Sequence, residues 1–355
     1  MIDPDLSLNA ALQQGPRPLP LFVAMLRSET AASPERRAAA LRGLARYQAA
    51  PRSPRPAAMP EVARSGRASL RDYGGSGRPV VVVPSLINPP FVLDLAPGRS
   101  LLRWLAAQGH RTLLVDWGEP GSGDRDEDVT RHVERRLLPM LATLAEPPVL
   151  VGYCLGGTIA LAAAHGGARP VAGVALIAAP WRFCGFDAVA RADIAALWAA
   201  AEPACTTMGL VPMEALQSGF WRLDPARTIA KFEALAEADD ATLANFVALE
   251  DWANAGAPLT LAAGRQLFER FIAADDPGNR RWTVTGRPVD PAALPCPIID
   301  FVSDRDRIVP AASSVGLGEH REVAAGHVGM VVGTRARALL WEPLAGWIQN
   351  LAAPR

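Results

Sequence analysis

Lysine is almost absent from this sequence of 355 residues. Lys231 is the single lysine, and arginine supplies the rest of the positive side-chain charge. Lysine and arginine together number 36, and aspartate and glutamate also number 36, so the formal net charge is zero. Such a chain has no overall field that would draw it to nucleic acid or to an anionic membrane. We therefore expect neither as a partner.

Long apolar runs are also missing, since no stretch reaches the roughly 18 residues that a membrane-spanning helix needs. Residues 1–20 carry acids, glutamine and prolines, without the basic start and apolar run of a secretory signal. The four cysteines show no C-x-x-C pair and no metal-site spacing, so we expect no metal and no other cofactor. These absences favour a cytoplasmic protein, and we expect Cys184, Cys205 and Cys296 to be small buried side chains with reduced thiols.

The order of apolar segments predicts an α/β fold. Residues 1–60 have the pattern of a helical N-terminal lead-in, and residues 61–355 that of one catalytic domain. Short β-type runs alternate there with helical stretches, which is typical of a mostly parallel sheet flanked by helices. Strands are predicted at 80–83, 112–115, 149–151, 171–177, 298–302 and 319–323. At about 180–295 the strand signal nearly disappears, which predicts a helical cap inserted before the penultimate strand.

Residues 149–158 read V-L-V-G-Y-C-L-G-G-T, an apolar strand followed by G-x-C-x-G and an alanine-rich helix. This is the pattern of a nucleophile elbow of the α/β-hydrolase fold, with Cys154 in the place of serine. The glycines let strand and helix approach closely around a strained turn, and the helix N-terminus favours a thiolate. A buried cysteine in a glycine-rich turn is the alternative. We expect Cys154 to be a nucleophile.

A cysteine nucleophile requires a base and a group that orients the base. His327 follows the last predicted strand, where this fold carries its catalytic histidine, whereas the other four histidines lie elsewhere in the pattern. The acid should follow the penultimate strand, and both Asp304 and Asp306 qualify by position. His327 would then take the thiol proton while the acid fixes its tautomer.

The oxyanion formed during acyl transfer needs two backbone N–H donors. Leu155, directly after the nucleophile, should supply one, and the loop after residues 80–83, around Leu86 or Ile87, the other. Thiol attack on a thioester exchanges one thioester for another of similar energy. A cysteine therefore suits acyl-CoA-type donors, and the residues alone predict a cysteine acyltransferase or hydrolase.

Several motifs closely resemble those of polyhydroxyalkanoate synthases. They are L-I-N, L-D-L-A-P-G-R-S and D-W-G-E-P within residues 84–120, D-R-D at 124–126, G-Y-C-L-G-G-T at 152–158, F-W-R-L-D-P at 220–225, G-R-P-V-D at 286–290, D-R-I-V-P at 306–310 and G-H-V-G at 326–329. The resemblance covers roughly residues 65–350 and is closest to the class III synthases, which work with a second subunit. In that family the acid directly precedes I-V-P, which favours Asp306 over Asp304.

The resemblance implies polymerisation of (R)-3-hydroxyacyl-CoA through an acyl group on Cys154, with release of CoA. It also implies work at the surface of a polyhydroxyalkanoate granule, with a second synthase subunit or as a homodimer. Trp252, in D-W-A-N, resembles a tryptophan near the active site of synthases, although a core aromatic is an equal alternative. A cysteine thioesterase or polyhydroxyalkanoate depolymerase, and a granule-binding protein without activity, are the competing functions.

Overall fold

The computed structural model describes residues 15–52 and 57–351. Its largest feature is an eight-stranded sheet with the order β1-β2-β4-β3-β5-β6-β7-β8, numbered along the chain. Strands β3 to β8 pair in parallel, whereas β1 and β2 form an antiparallel hairpin and β2 runs antiparallel to β4. The strands are β1 (Glu61–Ser65), β2 (Ala68–Asp72), β3 (Pro79–Val83), β4 (Arg111–Asp116), β5 (Val149–Tyr153), β6 (Gly173–Ile177), β7 (Ile298–Val302) and β8 (Glu319–Glu322). The predicted mostly parallel sheet flanked by helices is confirmed.

The central strands form because their sequences are apolar on both faces. Every residue of β3, β5, β6 and β7 is buried, as expected for parallel strands covered by helices on either side. The carboxyl ends of parallel strands lie at one edge of a sheet. The loops after β3, β5, β7 and β8 therefore leave from the same edge, which is where such sheets carry their sites.

Helices account for most of the remaining chain. Those in the same compact unit as the sheet are Leu101–Ala107, Val129–Arg131, His132–Leu137, Leu138–Ala142, Leu155–Gly166, Ala188–Met208, Leu261–Arg265, Gln266–Ala273, Gly329–Val332, Arg337–Trp341 and Glu342–Asn350. Short 3-10 turns lie at Pro90–Leu93, Ser122–Asp124, Phe183–Gly185, Pro291–Ala293 and Ala311–Ser313. Within the described residues, no helix is long and apolar enough to cross a membrane.

Among the described residues, a second compact unit consists of 15–52 and 213–256. Its helices are Leu19–Glu29, Pro34–Ala49, Met213–Leu223, Pro225–Leu235 and Asp240–Asn254. Phe22 and Phe232 meet edge to face in its core, with ring centroids 5.0 Å apart, and Tyr47 Oη donates to Asp251 Oδ1 at 2.6 Å. The segment between β6 and β7 is helical as predicted, apart from four two-residue strands. The division at residue 60 into lead-in and catalytic domain stays a prediction.

Candidate active site

Cys154 occupies a sharp turn between β5 and the helix Leu155–Gly166. Its backbone has φ 56° and ψ −133°, a conformation that costs free energy for a residue with a side chain and is concentrated at functional sites. Two backbone hydrogen bonds hold the turn, from Cys154 N–H to the Ile177 carbonyl at 2.9 Å and from Gly157 N–H to the Cys154 carbonyl at 2.8 Å. The strand, turn and helix of the predicted elbow are thus present.

Glycines are required on both sides of this turn because backbone atoms approach too closely for a side chain. A Cβ added to Gly152 would lie 2.3 Å from Gly157 Cα, and one added to Gly156 would lie 2.0 Å from the Val83 carbonyl oxygen. The second contact joins the start of the nucleophile's helix to the end of β3. It brings the loop after β3 beside the elbow.

His327 and Asp306 form a hydrogen-bonded pair on the loops after β8 and β7. The His327 Nδ1 and Asp306 Oδ2 atoms are 2.7 Å apart, and the Asp306 side chain is completely buried. The other oxygen, Oδ1, accepts hydrogen bonds from the N–H groups of Ile308 and Val309 at 2.8 and 3.0 Å. Asp304 is exposed. The strand pattern left both Asp304 and Asp306 as candidates, and the structure places Asp306 beside His327.

The electrostatics of this pair favour a protonated His327. Burial alone would lower the pKa of His327, but the charge and hydrogen bond of Cys154, together with the hydrogen bond and charge of Asp306, raise that pKa to about 10. Near neutral pH the imidazole is then an imidazolium between two acceptors. Such a group can give a proton to a leaving thiolate.

Tyr153 is a member of this site that sequence reasoning missed. Its ring stacks on the His327 imidazole, with centroids 5.1 Å apart and an interplanar angle of 29°, and its side chain is buried. Burial and the nearby negative charges of Cys154 and Asp306 raise the pKa of Tyr153 well above its usual value, so the phenol stays neutral. The position of Tyr153 directly before Cys154 could have suggested that it belongs to the site. That position does not show that its ring stacks on His327.

The two predicted oxyanion donors lie on segments that touch each other. Leu155 is the first residue of the helix after Cys154, where backbone N–H groups have no partner within the helix. Ile87 N–H donates to Ser85 Oγ at 3.1 Å, which leaves Leu86 as the better candidate of the two alternatives in the β3 loop. A Cβ on Gly156 would lie 2.7 Å from Pro84 C and O, so this loop packs against the helix start.

The remaining predicted residues are Trp252 and the other three cysteines. Trp252 is buried in the helix Asp240–Asn254 and belongs to the second compact unit, and its role in substrate binding stays a prediction. Of the other cysteines, Cys184 is exposed, Cys205 buried and Cys296 half-buried, so the expectation of burial is wrong for Cys184. Over residues 15–52 and 57–351, no three His, Cys, Asp or Glu side chains are grouped as a metal site would require.

Known proteins resemble the chain in sequence over most of its length. A family model described as "Alpha/beta hydrolase family" matches residues 80–340. The poly(3-hydroxyalkanoate) polymerase subunit PhaC of Haloferax mediterranei is 28% identical over 285 residues, 76% of this chain and 58% of the relative. Its counterpart in Synechocystis is 27% identical over 293 residues, 77% of this chain and 78% of the relative. The alignment thus spans less than two thirds of the Haloferax protein.

A solved structure resembles the fold of the chain. The putative non-heme bromoperoxidase BpoC of Mycobacterium tuberculosis aligns with a TM-score of 0.53 and 16% identity, covering 83% of this chain and 98% of that protein. At this level of identity the likeness concerns the fold alone. The sequence relatives, in contrast, point to a particular group of enzymes built on that fold.

Proposed function

We propose, from the premise that the chain belongs to the α/β hydrolase family and is related within it to the poly(3-hydroxyalkanoate) polymerases, that it polymerises (R)-3-hydroxyacyl-CoA. The observation that carries the proposal is a strained cysteine at the elbow whose side chain interacts with the buried His327–Asp306 pair. A cysteine in this position forms a thioester, and a thioester keeps the acyl group activated for transfer.

In the first step, the Cys154 sulfur attacks the thioester carbonyl of the donor. The carbonyl oxygen becomes an oxyanion, which the N–H groups of Leu155 and Leu86 would stabilise. When the intermediate collapses, the bond to the CoA sulfur breaks and the His327 imidazolium protonates the departing thiolate. The products are a Cys154 thioester and free CoA, and His327 is left neutral.

In the second step, neutral His327 takes the proton of an incoming hydroxyl, and that oxygen attacks the Cys154 thioester. The bond between the acyl carbon and the Cys154 sulfur breaks, which restores the Cys154 thiolate. Asp306 stabilises the imidazolium that forms again. If the hydroxyl is the 3-hydroxyl of another acyl unit, the product is an ester and the chain grows. If water enters instead, the product is a free acid, so polymerisation requires that water be kept out.

Burial of the pair supports an enclosed site. The His327 side chain is 7% exposed and that of Asp306 is 0% exposed. We propose that the helical insertion between β6 and β7 contributes to this exclusion as a cap, and that Trp252 contacts the acyl chain. On the second point, Trp252→Ala should change chain-length preference while Cys154 still becomes acylated, and loss of folding instead would favour a core role.

Partners and location follow from the same proposal. The curated relatives are named polymerase subunits, and we propose that this chain too works with a second subunit or as a homodimer. Because the product is a water-insoluble polymer, the enzyme would remain in the cytoplasm at the surface of a polyhydroxyalkanoate granule. Sedimentation with isolated granules, compared with the same extract lacking polymer, tests this location.

The deciding experiment gives purified protein 3-hydroxybutyryl-CoA, with a partner subunit where one is found, and measures CoA release and the product. We expect polymer as the main product and an acyl group on Cys154 by mass spectrometry. Stoichiometric free 3-hydroxybutyrate would make the protein a thioesterase. Cys154→Ala should abolish turnover, whereas Cys205→Ala and Cys296→Ala are matched controls that should retain most of it.

A further inference from the structure

Trp117 lies in the D-W-G-E-P segment, directly after β4, and the proposed mechanism gives it no role. Its indole Nε1–H donates a hydrogen bond to the backbone carbonyl of Pro84, with 3.1 Å between nitrogen and oxygen, and the side chain is 6% exposed. Pro84 begins the loop after β3, the loop that contains the second proposed oxyanion donor. A buried tryptophan is thus attached to that loop.

The loop is fixed at two points on either side of Leu86. The Pro84 carbonyl is held by Trp117 and packs against Gly156, and the Ile87 N–H is held by Ser85 Oγ at 3.1 Å. A peptide group between two anchored peptide groups has little freedom to rotate. The direction of the Leu86 N–H therefore depends on the hydrogen bond that fixes Pro84.

The position of the Trp117 ring is fixed by its contact with His132. Its ring meets the His132 ring edge to face, with centroids 5.8 Å apart and an angle of 78°. His132 Nδ1 lies 2.7 Å from the Asp128 carbonyl, which can only accept, and Nε2 faces the Arg67 guanidinium, which can only donate. His132 is therefore neutral with its proton on Nδ1. Both ring nitrogens are hydrogen-bonded, so the ring is held in one orientation against the Trp117 indole.

We propose that Trp117 is a positioning residue that sets the oxyanion hole of Cys154 by fixing the Pro84–Ser85 peptide group. This inference rests on the proposed function, since it assigns a role to the same site. Loss of the indole N–H would allow the loop to rotate and would move the Leu86 N–H away from the developing oxyanion. Oxyanion donors act through their placement, so the acylation step should be the step affected.

The test separates two reactions of the same sulfur. Acylation by a p-nitrophenyl ester or by 3-hydroxybutyryl-CoA forms an oxyanion, whereas alkylation by iodoacetamide is a displacement at carbon that forms none. We expect Trp117→Phe to lower the acylation rate constant at saturating donor about tenfold or more. KM and the alkylation rate constant should change by less than about twofold, because binding and the nucleophile are untouched.

Trp282→Phe is the matched control, because Trp282 is also buried and its Nε1–H donates to Thr130 Oγ1 at 2.8 Å. That variant should leave acylation and alkylation unchanged. If Trp117→Phe fails to fold, replacing Trp117 by 3-benzothienylalanine removes the N–H while keeping the ring shape. An unchanged acylation rate, or an equal fall in acylation and alkylation, overturns the inference. Acylation by the p-nitrophenyl ester without acylation by the CoA donor would contradict only the proposed function.

Discussion

The phenol hydroxyl of Tyr153 donates a hydrogen bond to the backbone carbonyl of His327, with 3.3 Å between the two oxygens. The aromatic ring of Tyr153 also stacks on the imidazole of His327. Tyr153 is the last residue of β5 and directly precedes Cys154. One side chain thus connects the strand that carries the proposed nucleophile to the loop that carries the proposed base.

Two substitutions of Tyr153 separate the hydrogen bond from the stacking. Tyr153→Phe removes one neutral hydrogen bond, worth about 1 kcal/mol, so acylation should slow by no more than about fivefold. Tyr153→Leu also removes the ring that faces His327, and we expect acylation to slow about tenfold or more because the imidazole gains freedom. Rapid-mixing measurements of p-nitrophenol release give both rates. Equal rates for the two variants would show that the stacked ring does not position His327.

The acid is tested by comparing two neighbouring aspartates. Asp306→Asn should lower the acylation rate on the order of a hundredfold or more, because an amide donating to Nδ1 favours the wrong tautomer of His327. Asp304→Asn serves as the control, since Asp304 is exposed, and it should stay close to the parent rate. A larger loss in the Asp304 variant would transfer the role to Asp304.

The strands of the parallel sheet could be predicted because they are buried on both faces. The apolar run at residues 298–302 matches β7 to the residue, and the other five predicted strands overlap β3, β4, β5, β6 and β8. The hairpin of β1 and β2 was missed. All the residues of β1 are exposed or half-buried, and its sequence E-V-A-R-S has little apolar periodicity, so its formation depends on pairing with β2.

The site could be predicted where a local motif or the chain order carries it. The glycine spacing selects Cys154, and the order of loops after strands selects His327 and two candidate acids. Contacts between distant residues have no such signal. Tyr153 and His327 are 174 positions apart, and Trp117 and Pro84 are 33 apart, so neither hydrogen bond leaves a spacing in the sequence. Only the folded sheet brings these residues together.

The close packing of the elbow leads to a prediction on stability. Gly156→Ala would place a methyl group 2.0 Å from the Val83 carbonyl oxygen, a backbone atom that cannot move without shifting β3. We expect a loss of several kcal/mol in the free energy of unfolding, as for other overpacked core positions. Gly346→Ala is a control of opposite sign, since nothing lies within 4 Å of a Cβ there.

Gly346 lies in the helix Glu342–Asn350, where alanine is the better helix former. Its substitution should stabilise the protein by about 0.5–1 kcal/mol. Urea unfolding followed by circular dichroism gives both values. A Gly156→Ala variant as stable as the parent would mean that the elbow and β3 can separate.

An acid in the middle of β7 is buried with only partial compensation. Asp300 is 1% exposed, and neither of its carboxylate oxygens makes a well-formed hydrogen bond with a described residue. Burial raises the pKa of Asp300 to about 7, and the Val315 N–H and the charge of Arg182 oppose only part of this effect. Below about pH 7 the carboxyl group is therefore mainly protonated in the folded chain.

Asp300 should make the stability of the protein fall as pH rises. Its pKa is about 7 in the folded chain, against about 4 in the unfolded chain, so between these values the folded chain holds a proton that the unfolded chain has lost. The stabilisation from this group is complete below about pH 4, falls between about pH 4 and pH 7, and levels off above about pH 7.

Asp300→Asn removes the ionisable group. The parent should lose on the order of a few kcal/mol in the free energy of unfolding between pH 5 and pH 8, and the variant should lose that much less. Asp304→Asn, at an exposed position of the same segment, should leave the pH dependence unchanged. Denaturant titrations of the three proteins at both pH values measure the effect, and parallel curves for the Asp300 variant and the parent would refute it.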